Sequence, residues 1–134
     1  MDITGRCHCG DISYRASVDP AKVSICHCTD CQKLSGSPYR VAVPAQAKDF
    51  KLLTGIPRTY VKTAESGAKR VQAFCGNCGS PVYSTSPDPK PASYSLRVGL
   101  IDQRAELPPR HQIWCGSALE WCTDIEMIPG VDRQ

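Results

Sequence analysis

No apolar run in this 134-residue sequence approaches the roughly 18 residues that span a bilayer. The opening stretch, "MDITGRCHCG", lacks the apolar core of a secretory signal. A membrane role is therefore not expected, and the expected location is cytoplasmic. Charge of one sign is also missing. Lys and Arg number 16 against 13 Asp and Glu, leaving +3 with His neutral, too mild for a nucleic-acid partner. Lys69 and Arg70, beside Lys62 and Glu65, read as a solvated hairpin and not as a phosphate patch. Aromatics make up only 7%, while Gly and Pro number 10 and 11, a mix that disfavours a helical bundle. With no linker, low-complexity block or internal repeat, one domain over residues 1–134 is expected.

What the chain does contain is alternation. Ile12, Tyr14, Ala16 and Val18 alternate with polar neighbours, as do Tyr39, Val41 and Val43. Phe50 to Leu53 and Thr59 to Val61 flank the turn signal "TGIPR". Val71 with Ala73, Val82 with Ser84, Tyr94 to Val98 and His111 to Cys115 bring the count to about eight short strands. The expectation is a mainly β fold of short antiparallel strands, a sandwich or tent, with little helix. "TDCQKLSG" reads as a turn or two of helix, with Thr29 or Asp30 as N-cap and Gly36 as the stop. "ALEWCTDIEM" reads as a second short helix. Trp114 and Trp121 are read as core, and Cys115 and Cys122 as small buried hydrophobes.

Nine cysteines are odd in number, so they cannot all pair within the chain. In a reducing compartment, clustered cysteines point to metal. The clearest cluster is "FCGNCGSP", in which a Cys-x-x-Cys turn directs Cys75 and Cys78 at one zinc. Gly76 and Gly79 are expected to let backbone N–H groups face the sulfurs. A structural zinc takes four ligands. Cys7 and Cys9, a Cys-x-Cys on an extended segment with both sulfurs on one side, supply the other two. That partition leaves "CHCTDC", with Cys26, Cys28 and Cys31, as a three-thiolate site with a fourth position. The fourth position is filled by His8, His27 or His111, or it stays open as in catalytic zinc sites. Three thiolates outweigh the charge of Zn²⁺, so such a site suits a substrate thiol better than a water. His111, following the extended "ELPPR", is either a proton shuttle or a structural histidine.

The ordered set of "GRCHCGDISYRA", "CHCTDCQKLSGSPY", "FCGNCGSP" and "HQIWCGSALEW" resembles the glutathione-dependent formaldehyde-activating enzyme family, also called the centromere protein V family. The resemblance implies a β-tent-like fold with a zinc-ribbon element. It implies two zinc ions per chain, one at Cys7, Cys9, Cys75 and Cys78 and one at Cys26, Cys28 and Cys31. It implies carbon–sulfur lyase chemistry that joins glutathione and formaldehyde in S-(hydroxymethyl)glutathione. Arg40, Arg97 and Arg110 are candidates to pair the carboxylates of such a thiol, set against the commoner role of a solvated surface arginine. A non-catalytic zinc-stabilised binding module and a thiol redox sensor are the alternative functions. Composition does not speak to oligomeric state.

Overall fold

The computed structural model describes residues 1–134. Ten strands form: β1 (Asp2–Arg6), β2 (Ser13–Ser17), β3 (Ser24–Cys26), β4 (Arg40–Gln46), β5 (Phe50–Thr54), β6 (Arg58–Thr63), β7 (Lys69–Phe74), β8 (Pro81–Thr85), β9 (Ser93–Arg97) and β10 (His111–Ile113). The one α-helix is α1 (Thr29–Ser35), and the other helical pieces are 3-10 turns, the longest at Glu120–Met127. The mainly β expectation holds. β1 and β3 are the two strands that alternation did not pick out. β1, "DITGR", has a single large apolar residue, and β3 is only three residues long.

Strands β1, β2 and β5 make a small sheet in the order β1-β2-β5. The other seven run β10-β3-β4-β9-β8-β7-β6. Every pairing is antiparallel except β10 with β3, which is parallel. Period-two alternation gives each strand one face for the core. Ile3 of β1, Tyr14 and Ala16 of β2, Val43 and Ala45 of β4 and Leu96 of β9 are buried in one apolar cluster. Phe50, Tyr83 and Tyr94 pack against that cluster, with Phe50 and Tyr94 ring centroids 4.5 Å apart and Tyr83 edge-on to Tyr94 at 5.0 Å.

The other face of the large sheet is what positions the site. Arg40 and Ala42 of β4, Ser95 and Arg97 of β9 and Ser84 of β8 line one cavity there. Arg70 and Gln72 of β7 and Lys62 of β6 continue its wall. Of the stretch read as a solvated hairpin, Glu65 and Lys69 are exposed as expected, whereas Lys62 and Arg70, paired in register, are half-buried and line the cavity. Arg40 and Arg97 are buried and not solvated, at 7% and 6% exposure, whereas Arg110 is exposed.

Helix α1 flanks this cavity. Its N-cap is Cys28, not Thr29 or Asp30, and the Cys28 Sγ accepts from the Cys31 N–H at 3.2 Å. Gly36 closes the helix at φ 62 with its N–H on the Gln32 carbonyl. Asp30 Oδ2 lies 2.8 Å from Lys62 Nζ, tying α1 to β6. The C-terminal segment departs from expectation. Trp114 and Trp121 are 57% and 54% exposed, and Cys115 is exposed while Cys122 is half-buried. Inner faces of the two sheets already fill the core, so the 3-10 segment lies on the outside.

Candidate metal centres

The four-cysteine centre is built by two turns. After β1 the chain folds back, with the Gly10 N–H on the Cys7 carbonyl at 3.1 Å. This turn, and not strand alternation, brings the sulfurs of Cys7 and Cys9 to 3.6 Å. After β7 a second turn puts the Gly79 N–H on the Cys75 carbonyl at 2.9 Å, with Gly79 at φ 75. Gly76 needs no such backbone; a Cβ there would sit 2.6 Å from Arg58 Cδ, so its role is close packing. Sulfurs of Cys9 and Cys75 lie 3.7 Å apart. A tetrahedral zinc shell with bonds of about 2.3 Å has sulfur–sulfur edges of roughly 3.8 Å, so the spacing fits. A disulfide needs about 2.05 Å, and all nine cysteines are free thiols.

The surroundings favour thiolate there. The Ile12 N–H points at Cys7 Sγ at 3.3 Å, and the Ser80 hydroxyl lies 3.2 Å from Cys78 Sγ. The Ser80 hydroxyl and N–H, then the Cys9 N–H, hold Cys78 down at about 5. Cys9 is pushed up to about 12 although the Asp11 N–H favours its thiolate, because burial and three neighbouring sulfurs oppose a second charge. Four converging thiols that cannot all ionise alone are the donor set a divalent soft cation satisfies.

The second centre is drawn from a shorter stretch of sequence. Cys26 ends β3, Cys28 caps α1 and Cys31 stands in its first turn. Their ligand sulfurs all lie within 4.8 Å of one another, and no His, Asp or Glu completes the group. Burial raises Cys31 to about 12, and donation to Cys28 and Cys26 adds to it. Burial also opposes the Cys28 thiolate. The Cys31 thiol and N–H, Cys26 and the Lys62 charge outweigh it and hold Cys28 below its ordinary value. The three sulfurs open onto a cavity of about 250 Å³ whose wall also carries Arg40 and Arg97.

The histidines are distributed differently. His27 is buried, with Nε2 2.7 Å from Gln112 Oε1, and lines a separate cavity of about 580 Å³ with Cys115 and Cys122. His8 is exposed. His111 is exposed at the outer edge of the large sheet, beside Ser24 in register. It shares the sheet face with Ser24, which lines the thiol cavity, but is not itself in the cavity wall. The sequence reading missed Trp114. This residue sits at the cavity mouth with φ 58, a left-handed backbone that a bulky residue rarely takes. A positive φ on a tryptophan leaves no mark in sequence, so nothing there could have found it.

A family model described as glutathione-dependent formaldehyde-activating enzyme matches residues 2–117. An uncharacterized lyase of Schizosaccharomyces pombe is 29% identical over 79 residues, covering 59% of this chain and 54% of that protein. The chain therefore spans about half the length of this curated relative. A crystal structure of a Rhodobacter sphaeroides protein shares the fold with a TM-score of 0.62 at 18% identity, over 81% of this chain and 98% of that one. No helix is long and apolar enough to cross a membrane.

Proposed function

We propose, from the premise that this chain belongs to the glutathione-dependent formaldehyde-activating enzyme family, that it is a carbon–sulfur lyase joining a small thiol such as glutathione to formaldehyde. The observation that carries the reading is the three-sulfur cluster at Cys26, Cys28 and Cys31. It stands apart from a complete four-sulfur shell and faces a cavity large enough for part of a ligand. The structural ion belongs at Cys7, Cys9, Cys75 and Cys78. Cys26, Cys28 and Cys31 would hold a zinc ion, which would supply there a Lewis-acid position able to lower the pKa of an incoming thiol from about 8.5.

The residues do the rest. Three thiolates with no fourth protein ligand leave room for the substrate sulfur. Lys62, held by Asp30 at 2.8 Å, keeps positive charge beside the cluster as negative charge accumulates. The substrate sulfur gives up its proton and attacks the formaldehyde carbon. A C–S bond forms, the C=O π pair moves to oxygen, and that oxygen takes up a proton. His111, exposed on the same sheet face, is the titratable group assigned to exchange these protons with solvent. Nine free thiols suit a reducing compartment, so the cytoplasm is the proposed location.

Native mass spectrometry with and without glutathione tests the reading. Two zinc ions per chain are expected, with glutathione adding only while Cys26, Cys28 and Cys31 are intact, and Cys28→Ser abolishing thiol-dependent turnover. One ion with no adduct, or unchanged turnover in Cys28→Ser, overturns it.

A further inference from the structure

Arg40 and Arg97 are 7% and 6% exposed, yet neither meets a carboxylate. Arg40 Nη1 and Arg97 Nη2 both donate to one neutral atom, Gln72 Oε1, at 3.2 and 3.0 Å. The Nε atoms of both arginines are buried with no partner. Buried charges are ordinarily paired, and a guanidinium carries five donors in a planar fork. Two adjacent forks here share a single acceptor between them. Burial, and then the Arg40 charge, pull Arg97 down to about 9, against the opposing influence of the Cys31 and Cys26 sulfurs.

The register explains why the two cations lie together. Arg40 pairs with Cys26 across β3 and β4, and Arg97 pairs with Ala42 across β4 and β9. Both therefore stand on the face that carries the thiols. Ala42, Ser84 and Ser95 are small side chains in the lining of the same cavity and leave it open beside the arginines. Ligand pockets of drug-sized molecules run from about 300 to 1,000 Å³. This cavity, at about 250 Å³, takes one end of a ligand and not the whole of a tripeptide.

We infer that Arg40 and Arg97, held in place by the Gln72 side-chain Oε1, form a carboxylate-binding subsite that seats an anionic group of the thiol substrate while its sulfur reaches Cys26, Cys28 and Cys31. The inference rests on the thiol reading proposed above and adds the chemical selection: carboxylated thiols are accepted over neutral ones. Planar bidentate recognition is the reason for arginine and not lysine at these positions. If the arginines only balanced the cysteine thiolates, they would not discriminate between a carboxylate and its ester.

The test uses the metal-loaded protein and S-methylglutathione, which has no thiol to coordinate, compared with its dimethyl ester by calorimetric titration. The acid is expected to bind at least tenfold tighter than the ester. Arg40→Gln and Arg97→Gln each lose tenfold or more of the acid affinity and leave ester affinity unchanged. Arg97→Lys, which keeps the charge without the fork, falls between. Equal affinity for acid and ester in the unaltered protein overturns the subsite, whether or not the variants fold. So does unchanged acid affinity in variants with native circular dichroism. The two readings fail separately. Acid-selective binding with no glutathione adduct on the metal removes the thiol chemistry and keeps the subsite. A thiol adduct without acid selectivity removes the subsite alone.

Discussion

Two double variants separate what each sulfur cluster does for the fold. In the four-cysteine centre the paired turns are far apart in sequence; Cys9 and Cys75 are 66 residues apart and their sulfurs 3.7 Å apart. An ion shared between them acts as a cross-link. The chain-entropy relation for a closed loop of that size gives about 4 kcal/mol. The three-cysteine centre spans only Cys26 to Cys31, and the same relation gives about 2 kcal/mol. An unfolding entropy of about 2.1 cal/mol/K per residue converts these to falls in Tm of about 15 °C and about 8 °C. Cys9→Ser/Cys78→Ser leaves the buried Cys7 and Cys75 in the core, so the loss reports the cross-link and not a cavity. Cys26→Ser/Cys28→Ser is the companion. Calorimetric melting of both, with metal counted by mass spectrometry, is the assay. Each should lose one ion, and the first should lose about twice the Tm of the second. An equal or smaller fall for Cys9→Ser/Cys78→Ser refutes the assignment of that centre as the staple between the N-terminal turn and β7.

The remaining predictions concern two single side chains. Tyr14 is fully buried, its hydroxyl has no hydrogen-bond partner, and burial, with the Asp102 charge adding, pushes its pKa far above the ordinary range. An unsatisfied buried hydroxyl costs about 1–3 kcal/mol. Tyr14→Phe should therefore stabilise by about 1 kcal/mol and raise Tm by about 4 °C, and a fall in Tm counts against the reading. Lys62→Met removes the positive charge that helps hold Cys28 below its ordinary value, so alkylation of the metal-free thiols at pH 7 should slow; a faster reaction refutes it. The same change frees Asp30, whose carboxyl Lys62 holds below 3.8. A lowered carboxyl pKa gives stability present above its unfolded value and lost as pH falls through the folded one. Lys62→Met should therefore lose stability near neutrality and little in acid, by under about 1 kcal/mol because the pair is partly exposed.

The parts of this molecule legible in its sequence are those set by short-range spacing. Cys75 and Cys78 close around a turn of two residues, and Cys28 and Cys31 share one helical turn. For such pairs, spacing alone restricts where the sulfurs can lie. The joining of Cys7 and Cys9 to Cys75 and Cys78 followed from ligand count, although the local geometry differs: a turn does what an extended segment was expected to do. Eight of the ten strands carried enough alternation to be read. β3 did not, since three residues hold no period, and it is held in place by β4 and β10 on either side.

The cationic face was illegible for a different reason. Alternation in "YRVAV" and "SLRV" states that Arg40 and Arg97 lie opposite the core residues Val43 and Leu96. It does not state what covers that opposite face. In an antiparallel sheet the second face is commonly solvated, and an arginine there reads as a surface residue. Here α1 and the cysteine loop that precedes it stand beside that face, so polar positions on consecutive strands become the wall of a cavity. Only register across β3, β4 and β9 sets Cys26 beside Arg40 and brings Arg97 into the neighbouring row, beside Ala42 and Ser24. The information is present in the chain, but it is distributed over 72 positions from Cys26 to Arg97 and becomes local only when the sheet forms. The candidate metal ligands come as close pairs and triplets in sequence. The two arginines proposed to meet a substrate carboxylate are brought together only by the sheet.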